Sequence, residues 1–332
     1  MRIMATAFAA IAITLSGVQV PAGAQSVETR LWTKLAGTAG KVDDRAGTVK
    51  LASYSLIFDA GQQYHGYLRM GGRFVKTRYR EALVAPGQRW VAGIPDPRLW
   101  LPQQKIDLID RKNGRTHPVR LPAPATSPEW SPDGRTLLLT AYDKHRDGSL
   151  TIIGFITMNV ADRVPRLVKA GPRHRVANWS IGREFRFYFA GTSRQVLAVH
   201  GKNRISLYGM NGKPRKVYKN VGGLAEWTAA TVFSPSGRLF ATVLRTNDKG
   251  SQIGIVEAST GKILHRTGQD IDAFAGWYDD EHIIVRRFQG RNQVVFQRAD
   301  LSGKADLDLI RERLIVGVAD YAPHLERVNF VR

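Results

Sequence analysis

A turn of one kind keeps returning along this chain. Trp130-Ser131-Pro132-Asp133-Gly134-Arg135 leads into Leu137-Leu138-Leu139-Thr140, and Phe233-Ser234-Pro235-Ser236-Gly237-Arg238 leads into Leu239-Phe240-Ala241-Thr242-Val243. Proline fixes φ at one turn position and glycine accepts positive φ at another, so each unit reads as a tight turn feeding a β-rich run. Weaker copies follow the same plan. Val84-Ala85-Pro86-Gly87 precedes Arg89-Trp90-Val91-Ala92, Phe189-Ala190-Gly191 precedes Gln195-Val196-Leu197-Ala198-Val199, and Trp277-Tyr278-Asp279-Asp280 precedes His282-Ile283-Ile284-Val285. Anchored at residues 84, 130, 189, 233 and 277, the copies stand 46, 59, 44 and 44 residues apart. A fixed period of this length means a stack or ring of small supersecondary units, with one interval lengthened by about 14 residues.

A second turn recurs in phase with the first: Lys112-Asn113-Gly114-Arg115, Met210-Asn211-Gly212-Lys213, Ser259-Thr260-Gly261-Lys262 and Leu301-Ser302-Gly303-Lys304. A strand candidate precedes each, at Ile106 to Ile109, Ile205 to Tyr208, Ile253 to Val256 and Val294 to Gln297. Another short strand follows, which gives four per repeat, the make-up of a propeller blade. The Trp-Ser-Pro-Asp-Gly core with its hydrophobic strand resembles the WD40-like (TolB-type) repeat, over roughly residues 84–311. The resemblance implies the fold. What matches is a structural turn, so no active site comes with it.

The ends of the chain supply the remaining strands. Val49 to Phe58, Tyr64 to Met70 and Phe74 to Tyr79 read as strands near the start, Arg313 to Gly317 and Arg327 to Val331 near the end. Completing one blade from both termini removes exposed sheet edges. The expected fold is therefore all-β: a β-propeller of six four-stranded blades, with seven as the alternative, closed by N- and C-terminal strands over residues 47–332. Residues 25–46 are expected to be an N-terminal extension. Ahead of them, Arg2, the sixteen uncharged residues Ile3 to Val18, and Ala22-Gly23-Ala24 form an export signal cleaved after Ala24. A stretch of that length is short for a membrane span. The chain is thus expected to be secreted or extracytoplasmic, and with no cysteine it has no disulfide to staple it.

Charge then points toward a partner. Lys and Arg number 49 against 28 Asp and Glu, a net +21, which bears on partners and solubility. The excess is local: Arg163 to Ala225 carries 14 bases and one acid, Glu184, whereas Asp248 to Glu312 carries 9 bases and 11 acids. Within the first stretch Arg173, His174 and Arg175 fall in the longest connection between repeats and are the expected anion contacts. Lys76, Arg78 and Arg80 form a smaller basic run and would share one strand face by alternation. The bases that follow the turns (Arg115, Lys213, Lys262 and Lys304; Arg135 and Arg238) would form a ring of positive charge on one face of the propeller, although long cationic chains commonly solvate exposed turns and loops on the other face carry function more often.

Catalytic chemistry finds no foothold in the sequence. The eight histidines include no H-E-x-x-H or H-x-H pair, and there is no nucleophile elbow, P-loop or dinucleotide fingerprint. Asp143, His145 and Asp147 have Lys144 and Arg146 between them and no distal glutamate, unlike a calcium loop. Asp270, Asp272, Asp279, Asp280 and Glu281 cluster at a turn, and Trp130, Trp179, Trp227 and Trp277 recur where inter-blade packing needs bulk. Trp100, in a proline-rich loop, is expected to be exposed. No catalytic residue, metal or cofactor is expected. The reading is a non-enzymatic binding or scaffold propeller that engages an anionic cell-envelope polymer or another exported protein, with no role on intracellular nucleic acid. The alternative is a propeller hydrolase or lyase acting on polysaccharide.

Overall fold

The computed structural model describes residues 32–44, 47–58, 63–95, 102–176, 186–191, 194–199, 203–225, 231–246, 250–268, 271–314 and 324–332. Their regular structure is strand. β1 (Trp32–Lys34) and β2 (Gly40–Asp43) come first, followed by a meander of β3 (Lys50–Phe58), β4 (Gln63–Met70) and β5 (Arg73–Lys76). β6 (Glu81–Val84), β7 (Trp90–Ile94), β8 (Gln103–Asp110) and β9 (Arg115–Trp130) form the next, and β9 runs on into β10 (Thr136–Lys144), β11 (Leu150–Asn159) and β12 (Pro165–Val176). Two plain four-stranded sheets follow: β13 (Phe187–Phe189), β14 (Gln195–Val199), β15 (Arg204–Gly209) and β16 (Pro214–Lys219); then β17 (Gly223–Leu224), β18 (Leu239–Thr246), β19 (Gly250–Glu257) and β20 (Ile263–Arg266). β21 (Ala273–Trp277), β22 (His282–Gln289), β23 (Gln293–Asp300) and β24 (Ala305–Arg313) are the last meander, and β25 (His324–Val331) ends the chain.

β25 pairs antiparallel with β3, from His324 opposite Ile57 to Val331 opposite Lys50, so strands from both ends of the chain share one sheet, ordered β25-β3-β4-β5. Residues 32–43, within the region expected to be an extension, also enter the fold. β2 pairs with β24, Gly40 opposite Glu312, and β1 pairs with β2, which widens the last meander to six strands. These strands are only three and four residues long, too short to show a period of two.

The architecture is propeller-like. Meanders of up-and-down strands stand face to face and bury apolar clusters between neighbours. Leu138, Tyr142 and Phe155 meet Phe187, Phe189 and Val196, and Ala241, Ile253 and Ile255 meet Phe274, Trp277 and Ile283. The repeat-equivalent tryptophans do the same work twice. Trp130 Nε1 donates to the Leu83 carbonyl at 2.8 Å, and Trp277 Nε1 to the Val232 carbonyl at 2.9 Å, each buried and reaching back to the preceding unit. Trp100, Trp179, Trp227 and the segment from Ile315 to Gly317 lie outside the described residues.

Two expectations of placement are corrected. Lys76, Arg78 and Arg80 do not share a strand face, because β5 ends at Lys76. Gly66 N donates to the Tyr79 carbonyl at 2.8 Å and Arg80 N to the Ile94 carbonyl at 2.8 Å, which hands the chain to the next sheet. Arg173, His174 and Arg175 are not in a loop: β12 continues through them, with His174 opposite Ile152 and Arg175 opposite Thr151. The long interval between repeats is thus partly filled by strand.

Candidate anion-binding site

Antiparallel alternation places every second turn of a meander at the same end of the sheet. In the sheet β13–β16, the chain between β13 and β14 and the turn between β15 and β16 therefore open side by side. Between them lies a groove of about 580 Å³, lined by Arg194, Gln195, Gly209, Met210, Asn211 and Arg215. Two glycines shape it. A Cβ on Gly209 would come within 3.3 Å of Arg215 Nε, so the bare backbone lets that guanidinium lie close. Gly212 has φ of +77°, and a Cβ there would overlap the Lys169 carbonyl oxygen, so glycine both makes the turn and lets it rest on β12.

The groove's polar groups are mainly donors. Asn211 Oδ1 already accepts the Lys213 backbone N–H at 3.1 Å, which leaves its amide NH₂ to offer. Arg194 and Arg215 are exposed, and among the described residues neither has an ion-pair partner. The reason is compositional: in Arg163 to Ala225, Glu184 is the one acid. Two guanidinium forks with no carboxylate partner among the described residues suit an oxyanion.

The residues expected from the sequence fall elsewhere. Arg175 is exposed at the opposite end of β12, where it pairs with Asp147 and donates from Nε to Ser149 Oγ at 2.9 Å. Arg173 and His174 precede it on the same strand. Lys76 is exposed at the tip of β5. Arg78 is two-thirds exposed, pairs with Asp107 at 2.9 Å and lies over the Tyr79 ring at 5.1 Å. Arg80 is only 1% exposed, so it is not a surface contact: Nη2 donates to Thr126 Oγ1 at 3.2 Å, and Nε stands 3.7 Å from Glu81. The acidic turn is likewise occupied. Asp279 holds His282 at 2.9 Å, Asp272 pairs with Arg286 at 2.6 Å, and Asp280 accepts the Ser236 N–H at 3.0 Å. The groove residues Arg194 and Arg215 had a visible signal, namely the turn after Met210 sitting inside the most basic stretch of the chain.

Arg80 belongs to a buried charged cluster that sequence patterning did not reveal. Arg327 on β25 donates to Glu81 Oε2 at 2.5 Å and to the Pro128 carbonyl at 3.1 Å. Glu129 Oε2 accepts the Phe189 N–H at 2.9 Å. The two carboxyls differ in kind. Burial pushes Glu81 up, but Arg327, Arg80 and Arg186 outweigh it and hold it below the ordinary range. Burial dominates at Glu129 and raises it well above that range, against the pull of Phe189 N–H, Thr231 and the two arginines Arg327 and Arg186. A carboxyl whose folded pKa is raised stabilises fully below its unfolded value, about 4.3, and that contribution is lost as pH rises through the folded value. Glu129→Gln, which keeps the acceptor for Phe189 and stays neutral, is therefore expected to raise the melting temperature near neutral pH and leave it unchanged in acid. Melts across the pH range check this; a lower melting temperature at neutral pH would mean that the native carboxyl is ionised and paired.

No family model matches the sequence, and no curated protein matches it. The chain is similar to several solved structures. TolB from Acinetobacter baumannii is 16% identical, with 84% of this chain and 65% of that chain covered and a TM-score of 0.49. The chain thus spans 65% of the length of that TolB. Dihydro-heme d1 dehydrogenase NirN in complex with DHE is 13% identical, with 85% and 73% covered and a TM-score of 0.45. A functionally unknown protein from Desulfotomaculum acetoxidans is 10% identical, with 81% and 83% covered and a TM-score of 0.47.

Proposed function

We propose that this protein is an exported, non-enzymatic binding propeller that holds an anionic partner, a cell-envelope polymer by preference, in the groove beside Arg194 and Arg215. The observation that carries the reading is that pair of exposed guanidiniums, facing a concavity with no carboxylate partner among the described residues. Export rests on the small-x-small site ending at Ala24. Six blades are supported by the count of meanders, if β9 serves one with each half and β25 completes the first. Closure is supported by the cluster in which Ile284, Phe296 and Ile310 of the last meander meet Tyr54, Leu56 and Tyr67 of the first. We place the start of the propeller at β1. Burial of Glu81 and Glu129, both engaged in hydrogen bonds, favours binding over the polysaccharide-cleaving alternative, since neither carboxyl is open to a substrate.

Heparin titrated at two salt concentrations tests the reading. Binding should weaken steeply with salt as counterions are released, and Arg194→Glu with Arg215→Glu should lower low-salt affinity by at least about tenfold. Arg173→Glu with Arg175→Glu should cost less, because Asp147 already neutralises Arg175. Lys262→Glu with Lys304→Glu should cost least, in a stretch of net charge 9 minus 11, or −2. Equal losses at all three pairs would mean that overall charge, and no site, does the binding.

A further inference from the structure

We infer that the groove is one end of a longer basic track, and that its ligand is a linear polyanion lying across three successive meanders. This rests on the groove being an anion site; what it adds is the length and course of the ligand. The turns at the groove's end of the molecule overlap like shingles. The β15–β16 turn lies on β12, with Gly212 seated against the Lys169 carbonyl and the Val168 side chain. Arg166 stands two residues before Val168, on the same face of β12 by alternation, and is exposed. The β11–β12 turn lies in the same way on β9, where Arg163 bonds the His117 ring at 2.9 Å. Arg115, two residues before His117 on β9, is exposed in turn.

Arg215, Lys213, Arg166, Arg163 and Arg115 therefore follow one another along a single rim. Among the described residues none of them is in an ion pair. The acid nearest them in sequence, Asp162, accepts the Val164 backbone N–H at 3.0 Å. Farther round, the same end of the molecule changes character. Glu257, Asp279, Asp280 and Asp300 stand at the turns of the last two meanders, and Asp280 and Asp300 are bonded to turn backbone. The positive rim is thus an arc with a beginning and an end, the shape that selects a chain over a point charge.

Two probes separate the track from the groove: tripolyphosphate, which fits the groove alone, and polyphosphate of ~40 units, long enough to follow the rim, each titrated over a range of salt. The long chain should show a slope of log K against log salt steeper by about 2 to 3, from three or so additional contacts. Arg115→Glu with Arg166→Glu should remove most of that extra slope and lower long-chain affinity about tenfold or more, while tripolyphosphate binding stays unchanged. Arg194→Glu with Arg215→Glu should weaken both probes. The track is overturned if the Arg115 and Arg166 changes leave long-chain binding intact while the groove changes abolish it, an outcome that leaves the groove standing. If neither probe binds at low salt, the groove and the track fall together. Circular dichroism and melting temperature verify that each variant is folded; Arg115→Gln with Arg166→Gln, which removes charge without reversing it, should give the same ordering with smaller losses.

Discussion

Deleting residues 324–332 is expected to destroy the monomeric fold and not merely trim it. β25 occupies one edge of β3 along nearly its whole length, and Leu325, Val328 and Val331 are buried there at 2%, 1% and 5% exposure. Burying an aliphatic side chain of this size is worth about 1.5–3 kcal/mol, so three of them amount to roughly 5–9 kcal/mol. That is comparable with the whole stability of an ordinary domain, about 5–15 kcal/mol. The loss would also bare the Glu312 carboxylate, which accepts the Leu325 N–H at 3.2 Å, and a long apolar edge on β3 open to pairing with other chains. Gel filtration and urea denaturation of the truncated chain should show aggregation and no cooperative transition. A truncated monomer with an unchanged midpoint would mean that β25 is an accessory strand.

The second large effect is expected at Arg327. Arg327→Ala should destabilise by about 3–5 kcal/mol, because removing one partner of a buried pair leaves the other charge in a poor solvent. Arg80, 3.7 Å from Glu81, softens the loss without cancelling it, and the Pro128 carbonyl also loses its donor. Exchanging all three charges for apolar residues of similar volume, Arg80→Met and Arg327→Met with Glu81→Leu, should cost less than Arg327→Ala alone, since no buried charge is then left without its partner. Acid should act like the single substitution. Glu81 has a lowered folded pKa, so its contribution is present above the unfolded value and disappears as pH falls through the folded one. Urea titrations of wild type, single and triple variants measure the ordering; a triple variant worse than Arg327→Ala would show that the cluster contributes more than compensation for its own burial.

The hairpins, the meander from residue 50 to 76 and its partner at the C-terminus were legible because turn chemistry and strand alternation are local. What escaped has physical reasons. β9 holds Pro118, Pro122, Pro124 and Pro128, which argue against a strand, yet proline is tolerated where the missing N–H faces no partner. The first half of β9 pairs chiefly with β8 and the second with β10, so each half has a free side. Arg80 escaped because alternation holds only while a strand continues, and β5 stops four residues earlier. The groove escaped because concavity is a property of how two turns stand, although the basic stretch around it was plain.

β9 also has a consequence in time. It joins seven strands, β6 to β12, into one sheet whose every pairing links consecutive strands, so the contacts inside it are short-range along the chain. Short-range contacts form early, because little loop entropy is lost in making them. A nascent chain could assemble this sheet before β13 to β25 are made, whereas β3 must wait for β25. The shared strand therefore makes this the largest of the sheets that local pairings alone can assemble.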